Sequence, residues 1–467
     1  MVNSIDDLIQ YFKLNLSHKN LDQIQKLLDN SNNKSSDDIK DFLLWAKNTK
    51  NIKVVSQDIP SHILKESILH DIKVECRGPD DKIYDSNAEI RARIARGNTI
   101  LEINNNGTKN YKLIIYALRK FTGGLGDEDD IDRKSGEWKN YFLKDYSSVT
   151  SVISLQKENG EAAHLSCVWK DNEFAICAGS KNVHIIFKNK EDLLNYSEQR
   201  YSYAKLIGLA VLRHLEKLKP DLRTLFLSFL VQFNLTVIFE ILNPETQHVE
   251  DLSYLKEPLL KFITFTSNTI EFKPQSLCSM TPDCALELGN LFELSCVKME
   301  FVDKNGIENH LLNIRKDHGY EGVVLYFLDS ENNVIGLLKK KTTWYIILRA
   351  IREKLRHHIS PKNTETISDL ENRIKKRLTE IKKWIGFDDE DYERWLKTSV
   401  EFINWFDKKY HENLISKDDF QNKFPVLWTR YLNETNSTDK IKINISKSVL
   451  TDTHIDEISR ELKSVAI

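Results

Sequence analysis

The chain has 467 residues, 40% hydrophobic and 29% charged, with 67 Lys+Arg against 69 Asp+Glu and a formal net charge of −2. That length predicts two or three domains with real cores, and the near-neutral balance excludes a polycation, so affinity for nucleic acid must come from local patches. Cys76, Cys167, Cys177, Cys278, Cys284 and Cys296 form no CxxC pair, the N-terminus has no basic segment ahead of an apolar core, and no run is long enough to span a bilayer, so free thiols in the cytoplasm or nucleus are expected.

Residues 4–29 space their apolar side chains for helix: Ile5, Leu8, Ile9, Phe12 and Leu16, then Leu21, Ile24 and Leu28. DDIKDFLLWAK at 37–47 opens with acids in a first turn, so 1–70 is expected to be a helical leader. From 71 to 155 the pattern alternates as strands do. Arg93 to Glu102 reads as a strand, Asn104–Gly107 as a hairpin turn, and Tyr111–Leu118 as its partner, ending in Arg119-Lys120-Phe121. Arg96 and Lys120 then meet at neighbouring strand ends, either as solvated edge charges or as a pair for an anion. The acidic stretch 124–137 reads as a linker or lid; its glycines precede no helix and its acids would repel phosphate.

VTSVISL, ending at residue 155, is a buried strand by its β-branched content, and Ala162 to Val168 a second. Between them stands Lys157-Glu158-Asn159-Gly160. It is either a surface hairpin turn or a lysine held at the mouth of a sheet, with a glycine that allows a sharp turn. A lysine becomes nucleophilic if burial or neighbouring cations lower its pKa. Residues 171–188 read as strand, turn and strand with Lys181 at the turn. His184 has no carboxylate or second histidine at partner spacing and reads as a hydrogen-bonded core residue. Helices follow over 190–230, broken at Pro220.

Glu240 lies inside the apolar strand LTVIFEILN, where an acid must be paired, metal-bound or turned outward at an edge. LLKFITFTS is another strand, and Thr281-Pro282-Asp283 starts a helix. Glu321 opens GVVLYF beside two glycines, and DSENN turns the chain back into VIGLLKKKTTWY. In that strand Lys339 and Lys341 share a face and Lys340 takes the other. Residues 346–432 read as helical, with Asp388 and Asp389 as caps and Trp395, Phe402, Phe406 and Tyr410 as a core stripe. From Lys339 to Lys383 there are 14 Lys+Arg and 5 Asp+Glu, a solvated face or a surface that tracks phosphates. The tail 433–467 is polar and unpatterned.

In this order, an R-G strand, K-F, K-E-N-G, S-K-N, F-E, E-G-V-V and K-x-K-T-x-W-Y, the chain resembles the covalent nucleotidyltransferase superfamily, and within it the phage-type single-strand RNA ligase family. The resemblance covers about residues 90–345. It implies an antiparallel-sheet nucleotidyltransferase domain over 71–345, and with the leader 1–70 and the all-helical C-terminal domain 346–467, which lie largely outside the matched motifs, the expected fold class is α+β; the basic excess makes the C-terminal domain a candidate for RNA binding. It implies that Lys157 becomes AMP-linked and that Glu158 helps place the ligand. Arg96 and Lys120 match positions that hold the β- and γ-phosphates of ATP, and Lys181 a basic position near the nucleotide. Phe239 and Glu240 match an element near adenine that binds ribose or metal, and Glu321 a metal-linked carboxylate. Lys339 and Lys341 match the pair on the α-phosphate, with Tyr345 close behind. Asn159 departs from the aspartate often found in this motif, an exchange that related enzymes tolerate.

The implied activity is ATP-dependent joining of RNA 5′-phosphate and 3′-hydroxyl ends through lysyl-AMP and RNA-adenylate, in tRNA or RNA repair, with Mg2+ or Mn2+, by a monomer. The surrounding cations are expected to depress the pKa of Lys157. A DNA ligase or mRNA-capping enzyme shares the K-x-x-G core but continues into a β-rich domain where this chain reads as helical. A non-catalytic RNA-binding protein on a ligase fold is the remaining alternative. No Walker loop or paired-histidine motif is present, so end-healing would fall to separate enzymes.

Overall fold

The computed structural model describes residues 3–29, 35–123, 127, 137–271, 273–303, 306–360, 363–386 and 388–437. Most of the acidic stretch 124–137 and of the tail 433–467 lies outside them. Three helices come first: α1 (Ile5–Asn15), α2 (His18–Asp29) and α3 (Ser36–Asn48). Ser4 and Ser35 close capping boxes on the first and third. The helical run stops at Asn48, short of 70. Beyond it lie β1 (Ile52–Asp58) and β2 (Ser67–Val74), which pair antiparallel along their length.

Short helices α4 (Asp81–Ser86) and α5 (Ala88–Arg93) precede β3 (Asn98–Asn105) and β4 (Thr108–Tyr116). Arg93 therefore ends a helix, and the R-G strand begins five residues later than its alternation suggests. The β3–β4 turn is as read: Asn106 and Gly107 take φ of 51° and 88°, the left-handed pair a two-residue hairpin needs. These strands form one sheet in the order β1-β2-β3-β4.

The central strands are β5 (Ser151–Lys157), β6 (Glu161–Lys170), β7 (Glu173–Ser180) and β8 (His184–Phe187), followed by α6 (Ser202–Lys217) and α7 (Pro220–Gln232), which Pro220 opens. Then come β9 (Leu235–Leu242), β10 (Leu259–Ser267), α8 (Pro282–Leu291), β11 (Met299–Val302), α9 (Ile307–Lys316), β12 (Gly322–Leu328) and β13 (Val334–Lys341). They make a five-stranded sheet, β10-β9-β6-β7-β8, and a four-stranded one, β11-β5-β12-β13. Every ladder is antiparallel. β5 and β6 belong to different sheets, so K-E-N-G is a crossing between sheets and not a hairpin.

One apolar core runs from α1, α2 and α6–α8 through the five-stranded sheet to Leu155, Val324 and Tyr326. The leader is fastened to it by Phe12 edge-on to Phe229 and by Lys19–Asp283 at 2.8 Å. A second cluster packs the first sheet on Val168, Ala175, Cys177 and Ile186, and a third packs α9 on the far side of β12 and β13. The described residues end in four helices, α10 (Thr343–His358), α11 (Ile367–Ile385), α12 (Asp389–His411) and α13 (Lys417–Glu434). Trp395, Phe402 and Phe406 are in their core, and Asp388 caps α12. Among the described residues no helix is long and apolar enough to cross a membrane.

Candidate active site

Strand register builds the site. Gly322 pairs with Lys157 on one side and Lys341 on the other, and Val324 pairs with Leu155 and Lys339. Cross-strand partners project to the same face, so three lysines rise from one face of the four-stranded sheet. Gly322 keeps the slot between Lys157 and Lys341 open. Its φ is +146°, and a Cβ there would lie 2.1 Å from the Lys340 carbonyl. From the five-stranded sheet, Ala162 pairs with Glu240 and His164 with Ile238. These two faces bound a cavity of about 590 Å³.

Ten of the residues singled out in the sequence line it: Arg96, Lys120, Lys157, Glu158, Lys181, Phe239, Glu240, Glu321, Lys339 and Lys341. Tyr345 stands behind the wall, its hydroxyl 3.2 Å from Asn159 Nδ2 and its ring 5.7 Å beneath Lys341 Nζ. Phe239 is buried against Phe262. Arg349 of α10 also reaches the cavity.

Lys157 Nζ lies 3.1 Å from Glu321 Oε2 and is 23% exposed. Its expected pKa depression is overturned. Burial does pull the ammonium down, but Glu321, then Glu240 and Glu250, hold it above its ordinary value. With Glu321 Oε2 at 3.1 Å, the resting amine is a paired ammonium. Burial lifts the Glu321 carboxyl, but Lys157 and Lys341 overcome this and hold it below its usual range. Burial, with Glu321 and Glu161 beside it, pushes Glu240 up to about 7. Glu158 is also raised, by burial, against Lys261 and Lys298.

Asn159 is the hub of this turn. Its Nδ2 donates to Glu321 Oε2 at 2.8 Å, and its Oδ1 accepts from the backbone N–H groups of Val249 and Glu250 at 2.9 and 3.2 Å. Glu250, which sequence reasoning missed, accepts from the Glu321 backbone N–H at 2.6 Å. Burial, then Glu321 and Glu158, push its carboxyl up to about 8. The loop that carries it is tied to the terminal helices: Val249 lies in their core and Gln247 N–H bonds Asn422 O at 2.6 Å. HVED at 248–251 has no pattern that could have marked it.

Glu240 and Glu250 give a pH prediction. Both bind a proton more readily folded than unfolded, so their contribution is full below about pH 4.5 and fades as pH rises through 7 and 8. The thermal midpoint is expected to fall from pH 5 to pH 8.5, and to fall less in Glu250→Gln. Equal slopes for the two proteins would contradict the assignment.

Gly160 serves a different purpose from the one its motif suggests. It does not take positive φ. Its N–H donates to Glu240 Oε1 at 3.2 Å, and a Cβ would meet the Ile241 carbonyl at 2.2 Å. Gly160→Ala is expected to destabilise the fold by about 3 kcal/mol through forced backbone movement, as denaturant unfolding would register. An unchanged midpoint would contradict this close approach.

Arg96, Lys120 and Lys181 converge at one end. Arg96 pairs with Asp80, Lys181 lies 3.5 Å from it, and Lys120 lies 2.7 Å from Asp81 and 3.5 Å from Asp80. His184 proves to have the partners its sequence neighbourhood lacked. Asp71 is 2.9 Å from Nδ1 and His164 3.1 Å from Nε2. Its reading as a core residue stands, and the chain Asp71–His184–His164 reaches the cavity wall. Gly97 lets the His164 imidazole in; a Cβ there would lie 2.4 Å from it.

Among the described residues no group of three or more His, Cys, Asp or Glu is placed to hold a metal ion. Glu240 and Glu321 line the same cavity, and two carboxylates are the kind of donor set magnesium takes together with phosphates and water.

This is a mixed α+β chain with antiparallel sheets and a helical C-terminal region, organised around a lysine-lined cavity. It belongs to the family described as Domain of unknown function (DUF7920), whose model matches residues 65–352. No curated protein matches the chain. Two solved structures of Naegleria gruberi RNA ligase variants are similar to it. One, with ATP and Mn, has 12% identity and a TM-score of 0.30; the other, with AMP and Mn, has 11% and 0.28. Each match covers 63% of this chain and 97% of the other. A superposition at that level carries no inference about activity.

Proposed function

We propose that the chain is an ATP-dependent RNA ligase that works through a covalent lysyl-AMP. The observation that carries this reading is the gathering, around one cavity, of Lys157 and nine other residues picked from seven separate motifs. A structural lysine turn gives no reason for that convergence.

In the proposed reaction Lys157 Nζ loses its proton, with Glu321 at 3.1 Å and Glu240 beside it as carboxylates to receive it. The amine attacks the α-phosphorus of ATP. An N–P bond forms, the P–O bond to pyrophosphate breaks, and pyrophosphate leaves with the electron pair. Lys339 and Lys341 face the same slot and stabilise charge on the non-bridging oxygens. Arg96 and Lys120 hold the departing phosphates. Glu240 and Glu321 would hold magnesium or manganese, which when bound supplies Lewis-acid charge to the phosphate oxygens. AMP then passes to an RNA 5′-phosphate, and a 3′-hydroxyl displaces it.

The test is a matrix of ATP or GTP with 5′-phosphorylated RNA or DNA ends. Joining of RNA with ATP is the expected result. Joining of DNA alone, or label transfer from GTP alone, would replace this reading with a DNA ligase or a capping enzyme. No adduct with any nucleotide would leave a non-catalytic binding protein.

A further inference from the structure

Asp80 and Asp81 are absorbed by nothing above. Asp80 stands at the N-cap of α4, yet its side chain makes no capping bond. It turns instead to Arg96, Lys120 and Lys181, while Asp81 adds a second carboxylate on Lys120. Burial raises the Asp80 carboxyl, but Arg96, Lys120 and Lys181 prevail and hold it below its usual range. Asp80 itself lines a neighbouring groove of about 340 Å³, together with Glu75, Cys76, Gly78 and Pro79. Lys181 and Asn182 line both that groove and the main cavity. Gly78, at φ +91° with open space around it, precedes Pro79 and gives the segment a pivot.

We infer that Asp80 and Asp81 are an internal anion that sets a charge threshold for this end of the cavity, so that a linear triphosphate displaces them more readily than a diphosphate, and a diphosphate more readily than a monophosphate. Among the described residues Arg96, Lys120 and Lys181 meet Asp80 and Asp81 here, and Glu161 also acts on Lys181. A ligand takes the cations only by offering them more negative charge than the carboxylates do, since paired groups are stripped of partners at a cost. A triphosphate tail offers the largest surplus, with charge-assisted bonds to all three cations; a diphosphate offers about one charge less and a monophosphate about none. Displacement swings Asp80 towards the neighbouring groove. The inference rests on the nucleotide reading of the cavity and adds what selects the nucleotide's phosphate number.

The test uses the full chain and inorganic probes, with no reaction required. Calorimetry would compare tripolyphosphate, pyrophosphate and orthophosphate on the wild type, Asp81→Asn, and Asp80→Asn with Asp81→Asn. In the wild type tripolyphosphate is expected to bind at least about 10-fold more tightly than pyrophosphate. In the double variant both should gain, pyrophosphate more, so that the ratio falls towards unity; Asp81→Asn should lie between. An unchanged ratio in folded variants, weaker binding of both probes, or no tripolyphosphate binding by the wild type would overturn the inference. Label transfer from ATP, run in parallel, separates the two readings. A lost threshold with intact adduct formation supports both. A missing adduct with the threshold shift present defeats the ligase alone, and an adduct with no shift defeats the threshold alone.

Discussion

Lys157→Ala is expected to abolish transfer of label from α-labelled ATP to the protein, by at least about 1000-fold, while sealing of pre-adenylated RNA survives at least in part. The split follows from what the lysine touches. Its ammonium is bonded to Glu321 and stands across Gly322 from Lys341. Removing it deletes the nucleophile of the first step only. Lys339, Lys341, Glu240 and Glu321 remain for the last step, where the adenylate is already on the RNA. The variant also leaves Glu321 with less counter-charge, so a raised Glu321 pKa and a modest loss of stability should accompany it. Equal loss of both activities in a folded variant would mean that Lys157 shapes the cavity without bonding to AMP. Full labelling would remove it from the chemistry.

Asn159→Asp is expected to cost about 3–5 kcal/mol of stability at neutral pH and to slow adduct formation about 100-fold. It would do so although the resembling motif more often has aspartate there. In this chain the amide is used at both ends. Its carbonyl accepts from two backbone N–H groups, which a carboxylate would also satisfy, but its NH2 donates to Glu321 and to Tyr345. A carboxylate would put a second negative oxygen against Glu321 in a buried site, next to Glu250. One of the two would have to take a proton. A proton on Glu321 ends its pairing with Lys157 as a carboxylate, and a proton on the new carboxyl leaves that acid buried against Glu321 and Glu250. Denaturant unfolding and the rate of label transfer measure the two effects. A variant as stable and active as the wild type would mean that the amide is not the hub of this turn.

What the sequence disclosed was whatever depends on neighbours along the chain. β-branched runs gave β5, β9 and β12, N-N-N-G gave the β3–β4 turn, and alternation put Lys339 and Lys341 on one face and buried Lys340 on the other. What it concealed depends on partners far apart. Periodicity cannot tell that β5 and β6 lie in different sheets, so K-E-N-G looked like a hairpin. Asp80, Asp71 and Glu250 reach their partners across 16, 113 and 71 residues, with nothing local to mark them. The pKa of Lys157 was misjudged in direction because its sign depends on distance. The cations are abundant in sequence, but in the fold Glu321, Glu240 and Glu250 are the charges that act on the amine. Gly160 was identified correctly as a needed glycine for the wrong reason: the Ile241 carbonyl, and not a left-handed turn, forbids a side chain.

The most direct measurement is peptide mapping by mass spectrometry after the protein is incubated with ATP and magnesium. One adenylate should appear, on the peptide that contains Lys157, with fragment ions placing it on that side chain. An adenylate on any other residue, or an unmodified protein under conditions where it joins RNA, would contradict the account.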